Sequence, residues 1–481
     1  MRKGHPGVKR NFLYNGVLTL SNYIFPLIVY PYVSRVLGVT NIGICNFVDS
    51  IVNWFILFSM MGMSILGNRE MAAIGHDRER RNKAFSELMA INLATTLLAV
   101  LGLLTAIFTV PRLFAYRSLL YIGVLKLFAN YFCIDWYFRG TEDFRYITGR
   151  TIFVKTLYVV AVFLFIRKAE DYPVYYLLTV LMLAGNAFIN VFYARRSVSL
   201  TLKDLNPSHF LKPFLMLGMY AILTSLYTTL NVTWLGFMAG DEQVGYYSTA
   251  SKLYTIVIAF FTAFTGVMLP RMSSLVSEDR LPEFRKMIGK SFDFLLTFSI
   301  PLVIFSCLCA PEIVRILAGA GYEGANIPAR IMMPLILIVG FEQIFVIQIL
   351  MPNKRDRSIF INSIVGATVG TILNLLLVKR FQAVGSAIVW FTSEMVVLVL
   401  ASHFSRTLDG IAFPWKKFCR EVLAYLPAAV AAAVLYRFIP QMWYRLGAIS
   451  LLMAVYVAVY VVFVKKDETV RSLLRKWSVL S

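Results

Sequence analysis

Acidic residues are scarce: 26 Asp and Glu stand against 47 Lys and Arg, a net charge of +21 over 481 residues. Long polar stretches are absent. No segment between apolar runs could form a folded domain, which argues against a receptor with an ectodomain and an enzyme with a large catalytic loop. The five cysteines (Cys45, Cys133, Cys307, Cys309, Cys419) are scattered without metal-ligand spacing and read as small packing residues. The four histidines (His5, His76, His209, His403) lie far apart, in or beside polar segments. No Gly-rich phosphate loop, H-E-x-x-H or G-x-S-x-G occurs, so nothing points to an ATP motor or to covalent catalysis. The expectation is a protein that is not an enzyme and carries no metal or cofactor.

Apolar sequence is abundant: 58% of the chain is hydrophobic, against about 45–50% in soluble domains. Fourteen apolar stretches of membrane-spanning length lie between residues 11 and 464. The basic segment 1–10 precedes an apolar run too long, and without the small-residue site, for a cleaved leader, so that run reads as a first retained span. Lys and Arg favour alternate loops by about three to one, which puts both termini in the cytoplasm. The positive charge is therefore read as topology and attraction to anionic lipid rather than nucleic-acid binding.

An internal repeat runs at an offset of about 202 residues. Gly16 matches Gly218, Gly38 matches Gly240 and Gly43 matches Gly245; Arg69, Asp77 and Arg78 match Arg271, Asp279 and Arg280. Six spans separate the partners, so the repeats are parallel. The expected architecture is all-α: a six-helix lobe in residues 1–200, a second in 201–405, and two further helices with a tail in 406–481. Two lobes imply a cavity and alternating access by rocking.

Polar residues at helical spacing fall in repeat-equivalent spans. Spans 1 and 2 carry Asn22, Asn46, Asp49 and Asn53; span 4 carries Asn130. Spans 7 and 8 carry Tyr220, Thr224, Thr228, Asn231, Ser251 and Thr255. These are expected to line the cavity, the alternative being hydrogen bonds that glue the bundle. Three lysines are read as lying inside spans: Lys126, Lys155 and Lys252. Asp135 is expected to pair locally with Arg139. Asp49 and Lys252 lie at equivalent depths and could pair across the cavity mouth. Glu342 and Glu394 either answer the lysines or, with Asp49, couple transport to Na⁺ or H⁺. Pro26 and Pro31 are expected to kink span 1.

Several of these residues resemble a known family. Arg35-x-Leu37-Gly38 with Gly43, the run Asp135 to Phe144 (DWYFRGTEDF), and Gly240 with Gly245-Tyr246-Tyr247 are similar to Wzx-type O-antigen or capsule-unit flippases. These form the polysaccharide branch of the multidrug/oligosaccharidyl-lipid/polysaccharide exporter superfamily, whose fold is MATE-like. The resemblance implies a bacterial inner-membrane protein that turns over undecaprenyl-pyrophosphate-linked oligosaccharide, with a polymerase and chain-length regulator as partners. A cationic cavity would offset the pyrophosphate; Arg35, Lys126, Lys155 and Lys252 are its candidates by position. A MATE-type drug exporter, a lipid II flippase and a membrane glycosyl polymerase are the competing readings.

Overall fold

Apolar side chains and internally bonded backbone dictate helix throughout, and a computed structural model, which describes residues 8–75, 77–201 and 205–465, contains helices and turns and no strand among the described residues. Eleven described helical runs are long and apolar enough to cross a membrane. Two of them, of 62 and 52 residues, are interrupted, at Gly38 (φ 77°, ψ 169°) and at Gln382 (φ 51°, ψ −128°). The chain divides into two compact units. The first holds residues 1–248, 318–321 and 367–386; the second holds 249–317, 322–366 and 387–481.

In the first unit, α1 (Val8–Met60) packs against α3 (Arg78–Thr109), α5 (Arg117–Tyr131), α7 (Phe144–Phe165) and α9 (Ser208–Ala239). The backbone of α1 stays helical through Pro26 and Pro31 and breaks at Gly38 instead. Prolines are tolerated in membrane helices, whereas Gly38 takes a positive φ that other residues resist.

The DWYFRGTEDF run forms the short helix α6 (Asp135–Gly140) and the turn into α7. Trp136, Tyr137 and Phe138 are buried, and α6 packs on α2 (Met63–Ile74). Glycine sits wherever the two helices touch: a Cβ on Gly67 would lie 2.3 Å from the Trp136 ring, and one on Gly140 would lie 2.6 Å from Met71 Cβ. Asp143 caps α7, accepting from the Tyr146 backbone N–H at 3.3 Å, and also accepts from the Tyr193 hydroxyl at 2.8 Å. The motif is thus a packing device.

Asp135 does not pair with Arg139. Span 4 ends at Tyr131, and after the turn at 132–134 Asp135 meets Arg150 of α7 at 2.8 and 3.3 Å and accepts from Asn190 at 3.0 Å. Arg150 is a fourth basic residue within the apolar runs, and its side chain is 3% exposed.

In the second unit, α11 (Leu281–Leu308) packs with α14 (Leu335–Gln343), α17 (Trp415–Phe438) and α18 (Met442–Val459). Polar ties hold this group. Lys417 bonds both Asp293 oxygens at 3.0 Å, and Lys465 reaches the fully buried Glu421 at 3.1 Å. Arg445 meets Glu312 at 2.7 Å.

Replacing Asp135 by Asn should strand the buried guanidinium and cost about 2–3 kcal/mol, read as a lower unfolding midpoint in mild detergent. The pair Asp135→Leu with Arg150→Met should recover most of that loss, because it removes both charges.

Candidate functional site

Membrane-embedded charge must find a partner or water, so the charged side chains within spans mark the site. Lys126 on α5 donates to Asp49 Oδ1 at 2.5 Å and to Asn53 Oδ1 at 2.9 Å; Asn53 donates to Asp49 Oδ2 at 3.0 Å. The three side chains form a closed ring of bonds in which one ammonium neutralises one carboxylate. Asn46, half-buried, stands one turn before Asp49 on α1. Asn130 is one turn beyond Lys126, and its buried Nδ2 has no hydrogen-bond partner among the described residues.

Lys155 on α7 is held differently. It donates to Asn22 Oδ1 at 2.6 Å and to Ser21 Oγ at 3.3 Å, and lies 5.7 Å from the Phe25 ring centre. All are neutral. Among the described residues Lys155 has no carboxylate partner, and it is half-buried while Asn22 is exposed. Taken together, Lys126, Lys155 and Asp49 carry one excess positive charge.

The other expected residues fall as follows. Arg35 is exposed and donates to the Pro31 carbonyl on its own helix. Asn231 is sealed: it donates to the Tyr247 hydroxyl at 3.3 Å and accepts from Asn374 at 2.7 Å, with no exposed surface. It ties helices together and is not a lining residue, because both ends of its amide are spent. The side chains of Tyr220, Thr224 and Thr228 lie outside the described residues, as do His5 and His76.

On the part of α10 (Asp241–Ser277) that lies in the second unit, Ser251 and Lys252 are half-buried, and exposed Thr255 gives its hydroxyl to the Ser251 carbonyl at 2.8 Å. Among the described residues no ion pair joins Glu342 or Glu394 to Lys126 or Lys155. Glu394, on α16 (Lys379–Asp409), is 5% exposed, accepts from Trp390 Nε1 at 3.0 Å, and lies close enough to Glu342 for the two carboxyls to act on each other. Among the described residues no group of His, Cys, Asp or Glu could hold a metal ion.

A second feature lies where the repeats meet within the first unit. Gly38 and Gly240 share one backbone conformation, φ 77°, ψ 169° and φ 93°, ψ 173°. A Cβ on Gly43 would lie 1.7 Å from the Asp241 carbonyl oxygen; one on Gly245 would lie 2.3 Å from the Val39 carbonyl oxygen. The repeat offset relates Gly43 to Gly245 and Val39 to Asp241. The two contacts are therefore one contact seen from each side, as a two-fold relation requires. Side chains reinforce it: Tyr116 donates to Asp241 Oδ2 at 2.5 Å, and Arg112 lies 3.7 Å from Oδ1. Burial, then the bond to Asp241, pushes the Tyr116 hydroxyl up to about 12, so it stays a donor at neutral pH.

Known proteins are similar to this chain in sequence and in fold. Over 405 residues the chain is 23% identical to the "Putative O-antigen transporter" of Escherichia coli (strain K12), covering 83% of this chain and 97% of that one. Over 176 residues it is 23% identical to the "Probable flippase AglR" of Haloferax volcanii, 36% of this chain and 37% of that one. Its fold matches the solved structure of the lipid II flippase MurJ in an inward closed conformation, with TM-score 0.79, 16% identity and coverage of 95% of this chain and 99% of that one. It also matches an inward-facing multidrug resistance MATE transporter of the MOP superfamily, with TM-score 0.66, 15% identity and coverage of 83% and 98%. Residues 8–276 match the family described as polysaccharide biosynthesis protein, and the chain belongs to that family.

Proposed function

We propose that this protein flips undecaprenyl-pyrophosphate-linked oligosaccharide units across the bacterial inner membrane by alternating access, for assembly of a surface polysaccharide. Counting two spans in each interrupted run and adding α9 gives fourteen, with both termini cytoplasmic. Spans 1–6 and 7–12 would form the two lobes.

The observation that carries this reading is Lys155. A cation among neutral oxygens and an aromatic ring, in a helix long and apolar enough to span, needs an anion to offset its charge. A pyrophosphate supplies one, and Lys126 stands ready to share it if its hold on Asp49 loosens. A MATE-type exporter of cationic drugs would need a free acid beside this group in the first unit, and Asp49 there is neutralised by Lys126. The flippase relatives favour the same class of cargo. We assign Asn22, Asn53 and Asn130 to the wet wall beside the headgroup. Coupling to Na⁺ or H⁺, through Asp49 or the Glu342–Glu394 pair, belongs to the same proposal, as do a polymerase and a chain-length regulator as partners.

Deleting the gene should cause inward-facing lipid-linked oligosaccharide to accumulate and surface glycan to disappear. Normal glycan with a changed drug tolerance would instead favour the exporter. The two lysines should part company in complementation. Lys155→Met strands no counterion, so the protein should keep its amount and unfolding midpoint while glycan export falls at least about tenfold. Lys126→Met strands Asp49 and should lower stability as well.

A side chain at the glycine junction provides another check. Gly43→Val should drive the Asp241 backbone away and hold that end open. The expected readout is faster labelling of Val39→Cys by a membrane-impermeant maleimide, in a background without the five native cysteines, together with loss of export.

A further inference from the structure

The second unit contains a cavity of about 420 Å³ that the transport reading leaves unused. One wall is a face of α16, with Phe391, Met395, Leu398 and Ser402 at helical spacing. The opposite wall is α14, and the floor is an aromatic cluster. The Phe341 and Phe413 rings meet tilted, with centroids 4.6 Å apart, as do Phe413 and Trp415 at 4.5 Å. Ser402 alone among the lining side chains carries a hydroxyl. Met395, Val399 and Trp415 are 37%, 62% and 66% exposed, so the cavity is open and not sealed.

A site for a polar small molecule would present several convergent hydrogen-bonding groups. This one presents almost none, which suits a hydrocarbon chain. A volume of this order takes one stretch of hydrocarbon chain.

Charge at the rim selects the headgroup. Arg406 lies one turn beyond Ser402 on the same helix face, and Lys416 follows the lining residue Trp415. Both are exposed, and neither has an ion-pair partner among the described residues. Arg420, also exposed, touches Glu421 only at 3.8 Å. The nearby Lys417 is spent on Asp293, and Glu421 on Lys465. Helix α17 begins here with no side-chain cap and no acid in its first turn, leaving its N-terminal dipole unopposed. An aromatic residue followed by cations is also the pattern of a helix end at the membrane interface.

We propose that this cavity binds an anionic glycerophospholipid, one acyl chain lying against Phe391, Leu398 and Phe413 and the phosphate held by Arg406 and Lys416. The inference does not depend on the cargo: it concerns the second unit alone and would hold for any transported substrate.

The test uses the purified full-length protein in mixed micelles with dioleoyl phosphatidylglycerol or dioleoyl phosphatidylcholine, read by native mass spectrometry and by unfolding midpoint. Phosphatidylglycerol should be retained over phosphatidylcholine by roughly tenfold and should raise the midpoint. Arg406→Gln with Lys416→Gln should abolish the preference, as should high salt. Met395→Trp at the rim should block retention of both lipids while leaving the lipid-free midpoint unchanged; should it fail to fold, Val399→Trp on the exposed edge serves the same purpose. Equal retention of the two lipids, or unchanged retention in the rim variants, would overturn the proposal. So would retention of undecaprenyl phosphate in place of phosphatidylglycerol, which would assign the cavity to the isoprenoid tail. Glycan export in the deletion strain reports separately on the transport reading.

Discussion

A charge in hydrocarbon must be answered, and this constraint organises the molecule. The buried Arg150 is answered by Asp135 and Asn190, the buried Glu421 by Lys465, and Lys126 by Asp49 and Asn53. Each pair fastens helices that the sequence separates. Lys155 departs from the rule, with neutral oxygens where a carboxylate would be expected. Its bonds to Asn22 and Ser21 tie α7 to α1 but leave its charge without a counterion among the described residues. That contrast is what the proposed function rests on.

The glycine junction adds the mechanical part. Backbone approaches backbone at Gly43 and Gly245 because neither residue has a side chain, and each meets the other repeat's equivalent carbonyl. Gly38 and Gly240, at the ends of the preceding helices, share a positive φ that permits the turn. Contacts of this kind break and reform as units, since close packing offers discrete arrangements rather than a continuum. Tyr116 and Arg112 add polar bonds to Asp241 at the same junction.

Much of this was legible in the sequence, and the failures share a cause. Apolar length, the repeat and the polar faces of the first two spans follow from periods of 3.6 and 202. Periodicity places residues on a helix but says nothing about the distance between helices. It therefore could not bring Lys126 to Asp49, or Glu394 to Glu342. Helical spacing alone points Asp135 at Arg139, whereas the chain turns at 132–134 and delivers the acid to Arg150 of α7. Arg150 shows no sign of its role in the sequence, because its partner lies across that turn. Asn231 looked like its neighbours because a polar face for water and a polar face for another helix have the same spacing; only burial distinguishes them.

Solvent access at position 155 tests the central claim most directly. In a background without native cysteines, Lys155→Cys should react with a charged methanethiosulfonate reagent, and excess lipid-linked oligosaccharide should slow that reaction. A cysteine there that stayed inert to the charged reagent yet reacted with an apolar maleimide would place position 155 in lipid and contradict the account.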